Sequence, residues 1–362
     1  MNTTRQLHDL GQSLWLDNIT RELLTSGTLE RYIADYALTG LTSNPTIFDH
    51  AIRASSAYDD AIRARAEKGL TEEALFIELA LEDLGRAADL FRPAHETSGG
   101  VDGWVSLEVS PLLAHDTART VESAQQLHAR AKRRNLFIKI PGTPEGVPAI
   151  EEAIFAGVPI NVTLLFSREQ YLAAAEAYRR GIERRIVAGL DPNVASVASL
   201  FVSRWDVAVA DKVPPALHNR LGIAIAKRTY KAYRELMASP PWQKIVSAGG
   251  KRQRLLWAST STKDPKASDV LYIEALAAPE TINTMPDKTL KAYADHGQVK
   301  QLLPDDGGDA ERVLAEFVRA GIDDAAIARE LLREGTRSFD KSWRDLMDCI
   351  SAKRDALSRS RS

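Results

Sequence analysis

The sequence contains a single cysteine, Cys349, among 362 residues, so no disulfide can form within the chain. This favours a reducing compartment, and we predict a cytoplasmic protein. No stretch is apolar enough to span a bilayer, and the N-terminus lacks the apolar core of a secretion signal. The formal net charge of -2 provides no basic field for nucleic acid or an anionic membrane. We therefore expect neither of these as a partner.

The seven histidines are dispersed and show no metal-ligand spacing. This disfavours a metal-dependent enzyme, and we expect neither a metal ion nor another cofactor. A hydrophobic content of 44% is ordinary for a soluble protein and sufficient for a sizeable core. What the chain does have is an alternation of short apolar runs with long amphipathic ones, which is typical of β-then-α units around a parallel sheet.

Eight such units occur along residues 1–300, and eight is the number that closes a parallel barrel. We therefore predict an α/β fold, a (β/α)8 TIM barrel, as the catalytic part of the chain. The predicted strands are residues 13–17, 38–44, 103–110, 135–141, 158–166, 194–202, 254–259 and 281–285. The predicted helices are residues 46–68, 71–90, 116–133, 144–156, 168–188, and several between 205 and 250, where two Pro-Pro pairs interrupt the pattern.

The last part of the chain, residues 301–362, begins with a Pro- and Gly-containing loop at 304–308. Amphipathic helices then continue to about residue 357, followed by a Ser/Arg-rich tail. No low-complexity linker precedes these helices. We therefore predict a helical extension that packs on the barrel and is not an independent domain.

Lys139 lies in an apolar, β-rich run that Pro141 and Gly142 bring to an end. Side chains alternate along a strand, so Ile138 and Ile140 share one face and Lys139 points to the other. Desolvation disfavours the charged form of an amine, which prepares a lysine to attack a carbonyl carbon. The alternative is an edge-strand lysine that extends its amine into water.

The same alternation gives other strands an aliphatic face and a polar face. If the aliphatic faces meet the helices, the polar ones point into the barrel near the carboxyl ends of the strands, where barrel enzymes have their active sites. Buried ionisable groups are costly unless paired, so their convergence indicates a functional site. The residues predicted to converge are Asp17, Asn44, Glu108, Lys139, Asn161, Thr163 and Ser199.

Four of these residues also have an alternative structural role, because spacing alone does not prove convergence. Asp17 can cap the following helix, and Glu108 can be an exposed residue of an edge strand. Asn161 and Thr163 can bond the nearby backbone. In the fifth strand, the alternation predicts an outer face with Ile160, Val162 and Leu164 and an inner face with Asn161, Thr163 and Leu165.

Several long motifs, in the right order, resemble those of the transaldolases, in the bacterial subgroup with the longer chain. The resemblance runs from the first strand to about Leu290 and extends more loosely into the C-terminal helices. The motifs are Leu16-Asp17-Asn18, Thr42-Ser43-Asn44-Pro45-Thr46-Ile47-Phe48, Val105-Ser106-Leu107-Glu108-Val109, Ile138-Lys139-Ile140-Pro141-Gly142-Thr143, Asn161-Val162-Thr163-Leu164-Leu165-Phe166, Ser203-Arg204, Trp257-Ala258-Ser259-Thr260 and Asn283-Thr284-Met285-Pro286.

The resemblance implies transfer of a dihydroxyacetone unit from sedoheptulose 7-phosphate to glyceraldehyde 3-phosphate, through a Schiff base on Lys139. It implies that Asp17 accepts the proton of the C4 hydroxyl. It also implies that Glu108 transfers protons during Schiff-base formation, through a water molecule that Thr163 helps to hold. The substrate-binding residues that it implies are Thr42, Asn44, Asn161, Ser199, Arg204, Ser259, Ser261 and Lys263.

At the phosphate end the chain departs from the family pattern. Relatives often have an arginine after the seventh strand, whereas this chain has Ser261 and Lys263 there. Ser203 occupies a position where a glycine is common in other subgroups. Arg204 is therefore the main expected phosphate contact, and Lys263 is either a second contact or a solvated loop residue.

The sequence leaves two alternatives to a transaldolase. One is a Schiff-base aldolase that releases free dihydroxyacetone from fructose 6-phosphate. Asp17 and Glu108 argue against it, because such aldolases tend to use tyrosine for proton transfer. The other is a catalytically silent barrel that binds sugar phosphates, and the intact Lys139 argues against that. The expected partners are small-molecule sugar phosphates, and the protein is expected to be a monomer or a homodimer.

Overall fold

A computed structural model describes residues 2–66 and 68–359 of the chain. Within these residues, eight parallel strands pair in chain order and β8 pairs with β1, so the sheet is a closed barrel. The predicted (β/α)8 barrel is confirmed. Strands β1 to β8 are Ser13–Asp17, Leu38–Thr42, Trp104–Glu108, Leu136–Pro141, Ile160–Leu165, Ser196–Phe201, Arg254–Ala258 and Ile282–Met285.

Helices follow the strands and pack against the outer face of the barrel. Several begin at residues that the sequence marks as N-caps: Thr71 accepts from the backbone of Ala74, and Ser167 forms a capping box with Gln170. Helices α1 to α16 are Thr3–Asp9, Arg21–Thr25, Thr28–Tyr36, Pro45–Ala54, Asp59–Ala66, Glu72–Thr97, Thr117–Ala131, Gly146–Phe155, Arg168–Val187, Ser203–Val209, Leu221–Ala238, Pro240–Ser247, Leu271–Ala275, Asp287–His296, Ala310–Arg319 and Asp324–Arg359.

The helix predicted over residues 46–68 is interrupted in the structure. Helix α4 stops at Ala54, Ser55 is extended, and α5 begins at Asp59 after one 3-10 turn. The Lys353 ammonium donates to the backbone carbonyls of Ile52 and Ser55, so the C-terminal helix satisfies acceptors that the break exposes. The predicted helix also covered residue 67, which lies outside the described residues, as do residues 360–362 of the predicted tail.

The two faces of the barrel strands separate as the alternation predicts. Leu136, Ile138 and Ile140 belong to the core between sheet and helices, whereas Phe137 belongs to a second cluster inside the barrel. There the Phe137 ring stacks on Trp104 at a centroid distance of 3.9 Å. These inner aromatic residues fill the barrel below the level of Lys139 and so form an apolar layer beneath its carboxyl ends.

Gly40 of β2 makes room for that inner layer. A Cβ atom at this position would lie 2.7 Å from the indole of Trp15 and 2.7 Å from the carbonyl oxygen of Trp104. Such contacts are far shorter than van der Waals separations, so only glycine fits without displacing an aromatic ring or the backbone.

The alternation predicted for β5 is wrong at its carboxyl end. Leu164 has a φ of 59°, and the pairing with β6 shifts register between Val162 and Leu165. The irregularity changes the faces of the next residues, so Leu165 packs in the outer core and Leu164 joins the cluster that includes Phe166. Asn161 and Thr163 precede it and keep the predicted orientation.

The C-terminal helices lie on the barrel. Helix α15 packs on α11, and α16 contacts α4, α5, α6, α10 and the strand β5. On these contacts we propose that residues 301–362 are an extension of the barrel and not an independent domain. Among the described residues, no helix is both long and apolar enough to cross a membrane.

Candidate active site

Lys139 is buried at the carboxyl half of β4, where 6% of its surface is exposed. Its Nζ atom donates a 2.9 Å hydrogen bond to the backbone carbonyl of Ser43. It also lies 3.6 Å from Oε1 of Glu108, the residue opposite it on β3. The amine therefore faces the barrel interior and not the outer surface, as the strand pattern predicts.

Glu108 is buried to a similar extent, with 5% exposure. Its Oε2 atom has no hydrogen-bond partner in the structure. Burial raises the pKa of Glu108 to about 7, against the opposing attraction of the Lys139 charge and with a smaller contribution from the charge of Asp17. A carboxyl group with this pKa both accepts and releases a proton near neutral pH.

Asp17 is the last residue of β1 and accepts a 2.8 Å hydrogen bond from the Thr42 hydroxyl. The Thr42 oxygen lies 2.8 Å from the Thr284 hydroxyl, so three strands hold this group in place. Burial raises the pKa of Asp17 above its ordinary value, although the charge of Lys139 and the Thr42 hydrogen bond oppose the shift. Two carboxyl groups with raised pKa values thus flank one lysine, an arrangement typical of proton-transfer sites.

The amide and hydroxyl groups of β5 and β6 form the other side of this region. Asn161 is fully buried, donates to the Ser106 hydroxyl at 3.2 Å and accepts from the Ser199 hydroxyl at 2.7 Å. The hydroxyl of Thr163 is buried without a partner. Just after the end of β2, Asn44 caps α4 by accepting from the backbone of Ile47.

These groups surround a cavity of about 320 Å³ at the carboxyl ends of the strands. Glu108 and Asn161 lie beside it within the barrel and do not line it. The predicted residues that line the cavity are Asp17, Thr42, Asn44, Lys139, Thr163, Ser199, Arg204, Ser259, Ser261 and Lys263. Among the described residues, no three His, Cys, Asp or Glu side chains are grouped as metal ligands would be.

Residues 14–350 match the family described as Transaldolase/Fructose-6-phosphate aldolase. The chain belongs to this family. It is similar over almost its whole length to proteins named transaldolase, one from Parafrankia sp. (strain EAN1pec) with 43% identity, covering 96% of this chain and 97% of that one. The Thiobacillus denitrificans transaldolase is 44% identical, with 96% and 99% covered. Transaldolase 2 of Nostoc punctiforme is 40% identical, with 99% of each chain covered. The chain is thus an enzyme of the transaldolase type.

In this transaldolase-family chain the cationic side of the cavity is formed by Arg204 and Lys263. The Arg204 guanidinium lies 5.1 Å from the centroid of the Phe201 ring, and burial lowers its pKa from the ordinary value. Within residues 2–66 and 68–359, no carboxylate lies at salt-bridge distance from it. Lys263 is exposed, and its ammonium donates to the Ser261 hydroxyl at 2.5 Å. Both cations are therefore available to an anionic ligand.

Ser259 and Ser203, at the ends of β7 and β6, are bonded to each other. Their hydroxyl oxygens lie 2.9 Å apart, and the Ser203 backbone N–H donates to the Ser259 carbonyl. Ser259 has a φ of 54°, in the left-handed region. The two strand ends thus share one local geometry, and it places Arg204 and Ser261 on the same rim of the cavity.

Besides the predicted residues, the cavity is lined by others that sequence reasoning did not assign to it: Pro45, Thr46, Ile47, His50, Phe201, Ala258, Thr284, Pro286, Ser338, Phe339 and Ser342. Thr284 belongs to a motif of the resemblance, and its position on the inner face of β8 was the signal that could have identified it. Helix α16 supplies the last three, Ser338, Phe339 and Ser342. Nothing in the local pattern of a 36-residue helix indicates which of its faces meets the barrel.

Proposed function

We propose that this chain transfers a dihydroxyacetone unit from sedoheptulose 7-phosphate to glyceraldehyde 3-phosphate, giving erythrose 4-phosphate and fructose 6-phosphate, through a Schiff base on Lys139. This reaction belongs to the non-oxidative branch of the pentose phosphate pathway. The observation that supports it most directly is the buried Lys139 amine, 3.6 Å from Glu108 in a cavity that also holds Asp17.

Schiff-base formation starts when Glu108, as the carboxylate, takes a proton from the Lys139 ammonium. The neutral nitrogen attacks C2 of the ketose, and the carbonyl oxygen is protonated to give a carbinolamine. Loss of that oxygen as water leaves an iminium ion. Glu108 Oε2 and the Thr163 hydroxyl, both buried without partners, have the hydrogen-bonding capacity to hold a water that relays these protons.

Carbon–carbon cleavage uses Asp17 as the base. It removes the proton of the C4 hydroxyl, the C3–C4 electron pair moves toward the iminium nitrogen, and the aldehyde leaves. The three-carbon enamine stays on Lys139 until an acceptor aldehyde arrives and the steps run in reverse. The raised pKa of Asp17 makes it a stronger base than an exposed aspartate.

The remaining polar groups hold the three-carbon unit in place. Asn44, Asn161 and Ser199 are fixed by hydrogen bonds within the protein, so they present their remaining polar atoms in a defined geometry. Thr42 fixes Asp17. Retention of the enamine distinguishes a transferase from an aldolase that releases free dihydroxyacetone.

The substrate phosphate is assigned to Arg204, with Ser261 and Lys263 as further contacts and Ser259 supporting the loop. A guanidinium without a carboxylate partner at the rim of the cavity suits a phosphate group. Localisation in the cytoplasm and a monomeric or homodimeric state remain predictions.

Borohydride reduction in the presence of fructose 6-phosphate tests the assignment of the nucleophile. We expect a reduced three-carbon adduct on the peptide that contains Lys139, located by mass spectrometry, and no adduct in Lys139→Ala. Trapping on another lysine would refute the assignment. An assay of free dihydroxyacetone, with and without erythrose 4-phosphate, then distinguishes transfer from aldol cleavage, because appreciable release without an acceptor would favour the aldolase.

A further inference from the structure

The hydroxyl of Thr284, on the inner face of β8, lies 2.8 Å from the hydroxyl of Thr42 on β2. Strand β1 pairs with both of these strands, so the two side chains meet inside the barrel in front of it. Thr42 in turn donates a 2.8 Å hydrogen bond to Oδ1 of Asp17, at the end of β1. Three polar groups from three neighbouring strands thus form one hydrogen-bonded chain, in which both threonines are buried.

The direction of the hydrogen bonds in this chain follows from the number of protons. A hydroxyl group has one proton, and an ionised carboxylate has none. When Asp17 is ionised, the Thr42 proton is therefore engaged in the bond to Asp17. The contact between the two threonines then requires the Thr284 proton, so Thr284 is the donor and Thr42 the acceptor.

The Thr284 hydroxyl has no competing partner. Within residues 2–66 and 68–359, its only hydrogen bond is the one to Thr42. A hydroxyl that accepts a hydrogen bond becomes a better donor, because successive bonds polarise one another. Thr284 thereby strengthens the bond from Thr42 to the Asp17 carboxylate, although it does not touch the carboxylate itself.

The chain engages only one of the two carboxylate oxygens. Thr42 bonds Oδ1 of Asp17, whereas Oδ2 has no hydrogen-bond partner in the part of the chain that the structure describes. Asp17 also lines the cavity. A general base needs an oxygen that is free to receive the proton, and the chain makes Oδ2 that oxygen.

We propose that Thr284 is a positioning residue for Asp17: through Thr42 it keeps Oδ1 engaged as an acceptor and leaves Oδ2 to receive the substrate proton. The inference rests on the proposed function, in which Asp17 removes the proton of the C4 hydroxyl. That proton moves from the hydroxyl oxygen to Oδ2, while the hydrogen bond from Thr42 to Oδ1 persists throughout.

Other groups also act on Asp17. Burial raises its pKa, and the charge of Lys139, the Thr42 hydrogen bond and the charge of Lys263 oppose the shift. The charged or titratable side chains that share the cavity or its border with Asp17 come from β4, the loop after β7, β3, α4 and α10, and are Lys139, Lys263, Glu108, His50 and Arg204. A substitution of Thr284 changes none of these charges, so its effect on the titration of Asp17 reports the hydroxyl chain.

The test is a titration of Asp17 in the ligand-free protein, followed by NMR of chains labelled with ¹³C at the aspartate carboxyl carbon. Asp17→Asn identifies the Asp17 signal by its loss. Thr284→Val replaces the hydroxyl by a methyl group, and we expect it to move the midpoint to higher pH by about 0.3–0.6 units, because it weakens a charge-assisted bond. Thr42→Val removes that bond and should move the midpoint by about 1–2 units.

Thr281→Val is the matched control. Thr281 immediately precedes β8, is fully buried and has a hydroxyl with two hydrogen bonds, one from Gln12 and one to the Ala278 carbonyl. These bonds do not involve the cavity, so the Asp17 midpoint should stay at the parent value. Thr284→Ser keeps the donor and should also titrate like the parent chain.

A double variant shows whether the effect passes through Thr42. In the Thr42→Val background, Thr284→Val should add no further shift, because the connecting hydroxyl is gone. The inference is wrong if Thr284→Val leaves the midpoint unchanged, if Thr281→Val moves it equally, or if the full shift persists in the Thr42→Val background. Thermal unfolding checks that each variant is folded, and Thr284→Ala repeats the titration if the valine variant is not.

Kinetics connects the titration to the reaction. For transfer from fructose 6-phosphate to erythrose 4-phosphate, kcat/KM of Thr284→Val should match the parent value at high pH and fall about two- to fourfold below it on the acidic limb. An equal loss at every pH would overturn the inference, because it would place the effect in a direct contact of Thr284 with the substrate.

The function on which the inference rests is tested separately by Asp17→Asn. If that variant is inactive while Thr284→Val titrates like the parent chain, the inference is wrong and the proposed function stands. If Asp17→Asn keeps the parent rate of transfer, the assignment of the base fails and this inference with it, whereas the trapping experiment still decides the role of Lys139.

Discussion

The barrel has a cavity at each end, and the two differ in how their buried charges are satisfied. The cavity at the amino ends of the strands is the larger, about 550 Å³, against about 320 Å³ at the carboxyl ends. Asp102 and Arg254 lie at the first, and Asp17 and Lys139 at the second. Volume alone would select the amino end, and not the end that holds the proposed site.

At the amino end the charged groups have direct partners. Arg254 donates to the Asp102 carboxylate at 3.3 Å, to the Ser13 hydroxyl at 2.7 Å and to the Thr281 carbonyl at 2.9 Å. Burial acts to raise the pKa of Asp102, but hydrogen bonding from His8 and the charge of Arg254 outweigh it and hold the pKa below its ordinary value. This carboxylate is stabilised in its charged form.

At the carboxyl end the effect of burial on the carboxyl pKa values is larger than the opposing effect of nearby positive charge. The pKa values of Glu108 and Asp17 both rise, and Glu108 has an oxygen without a partner. Charged groups whose partners are complete stabilise a fold, whereas incompletely paired ones remain available for proton transfer. The difference in pairing, and not the difference in size, distinguishes the candidate active site.

The strongest test of this comparison replaces one lysine at each end of the barrel. Lys139→Met removes the proposed nucleophile, and we expect kcat for the transfer reaction to fall on the order of 10⁴-fold or more. Lys251→Met is the matched control, because Lys251 lines the amino-end cavity. It should keep full activity. Steady-state kinetics with fructose 6-phosphate and erythrose 4-phosphate measures both, and comparable losses in the two variants would contradict the assignment.

Asp102 at the amino end and Glu108 at the carboxyl end should contribute to stability with opposite pH dependences. The folded-state pKa of Asp102 is lowered, so its contribution to stability is present above its unfolded-state pKa and is lost as the pH falls through the folded-state value. The folded-state pKa of Glu108 is raised from 4.5 to about 7, so its contribution is present below pH 4.5 and is lost as the pH rises through about 7.

Urea unfolding of Asp102→Asn and Glu108→Gln across this range measures the difference. At neutral pH we expect Asp102→Asn to lower the free energy of unfolding by about 2–3 kcal/mol, because it leaves Arg254 without its charged partner. The cost should shrink as the pH falls. As the pH rises from 4.5 to 7, the free energy of unfolding of the parent chain should fall relative to that of Glu108→Gln. Parallel pH dependences for the two variants would contradict the distinction between the ends.

Strands β4 and β5 show how much of this arrangement is predictable from sequence. In β4 the alternation is regular, so the orientation of Lys139 follows from local residues alone. In β5 it fails at Leu164, whose positive φ accompanies a register shift against β6 and a close approach to Gly335 of α16. A contact with a helix so distant in sequence leaves no trace in the local pattern.

The two ends of the barrel also differ in how far the sequence predicts which residues come together. The order of the strands brings Asp17, Glu108 and Lys139 together, because parallel strands point their carboxyl ends in one direction. Pairing across the amino end is different: Asp102 and Arg254 are separated by 152 residues, and nothing in their neighbours indicates the partner. The resemblance to a family supplied the roles of the site residues, whereas spacing supplied only their shared face.

The smallest expected effect concerns Lys263, the exposed cation of the active-site cavity. Its charge lowers the pKa of Asp17, although less than the charge of Lys139 does, and it adds to the positive potential near Arg204. We expect Lys263→Met to raise the KM for fructose 6-phosphate by about two- to fivefold, with little change in kcat, because an exposed charge in solvent contributes weakly.

Lys266→Met is the matched control, since Lys266 lies in the same loop and is exposed but does not line the cavity. The parent chain should lose part of its affinity for fructose 6-phosphate as the salt concentration rises, because a solvent-exposed phosphate contact is screened. Lys263→Met should lose less, and Lys266→Met as much as the parent. Equal salt dependences in all three proteins would remove Lys263 from the phosphate site and leave Arg204 as the cation that distinguishes this end of the barrel.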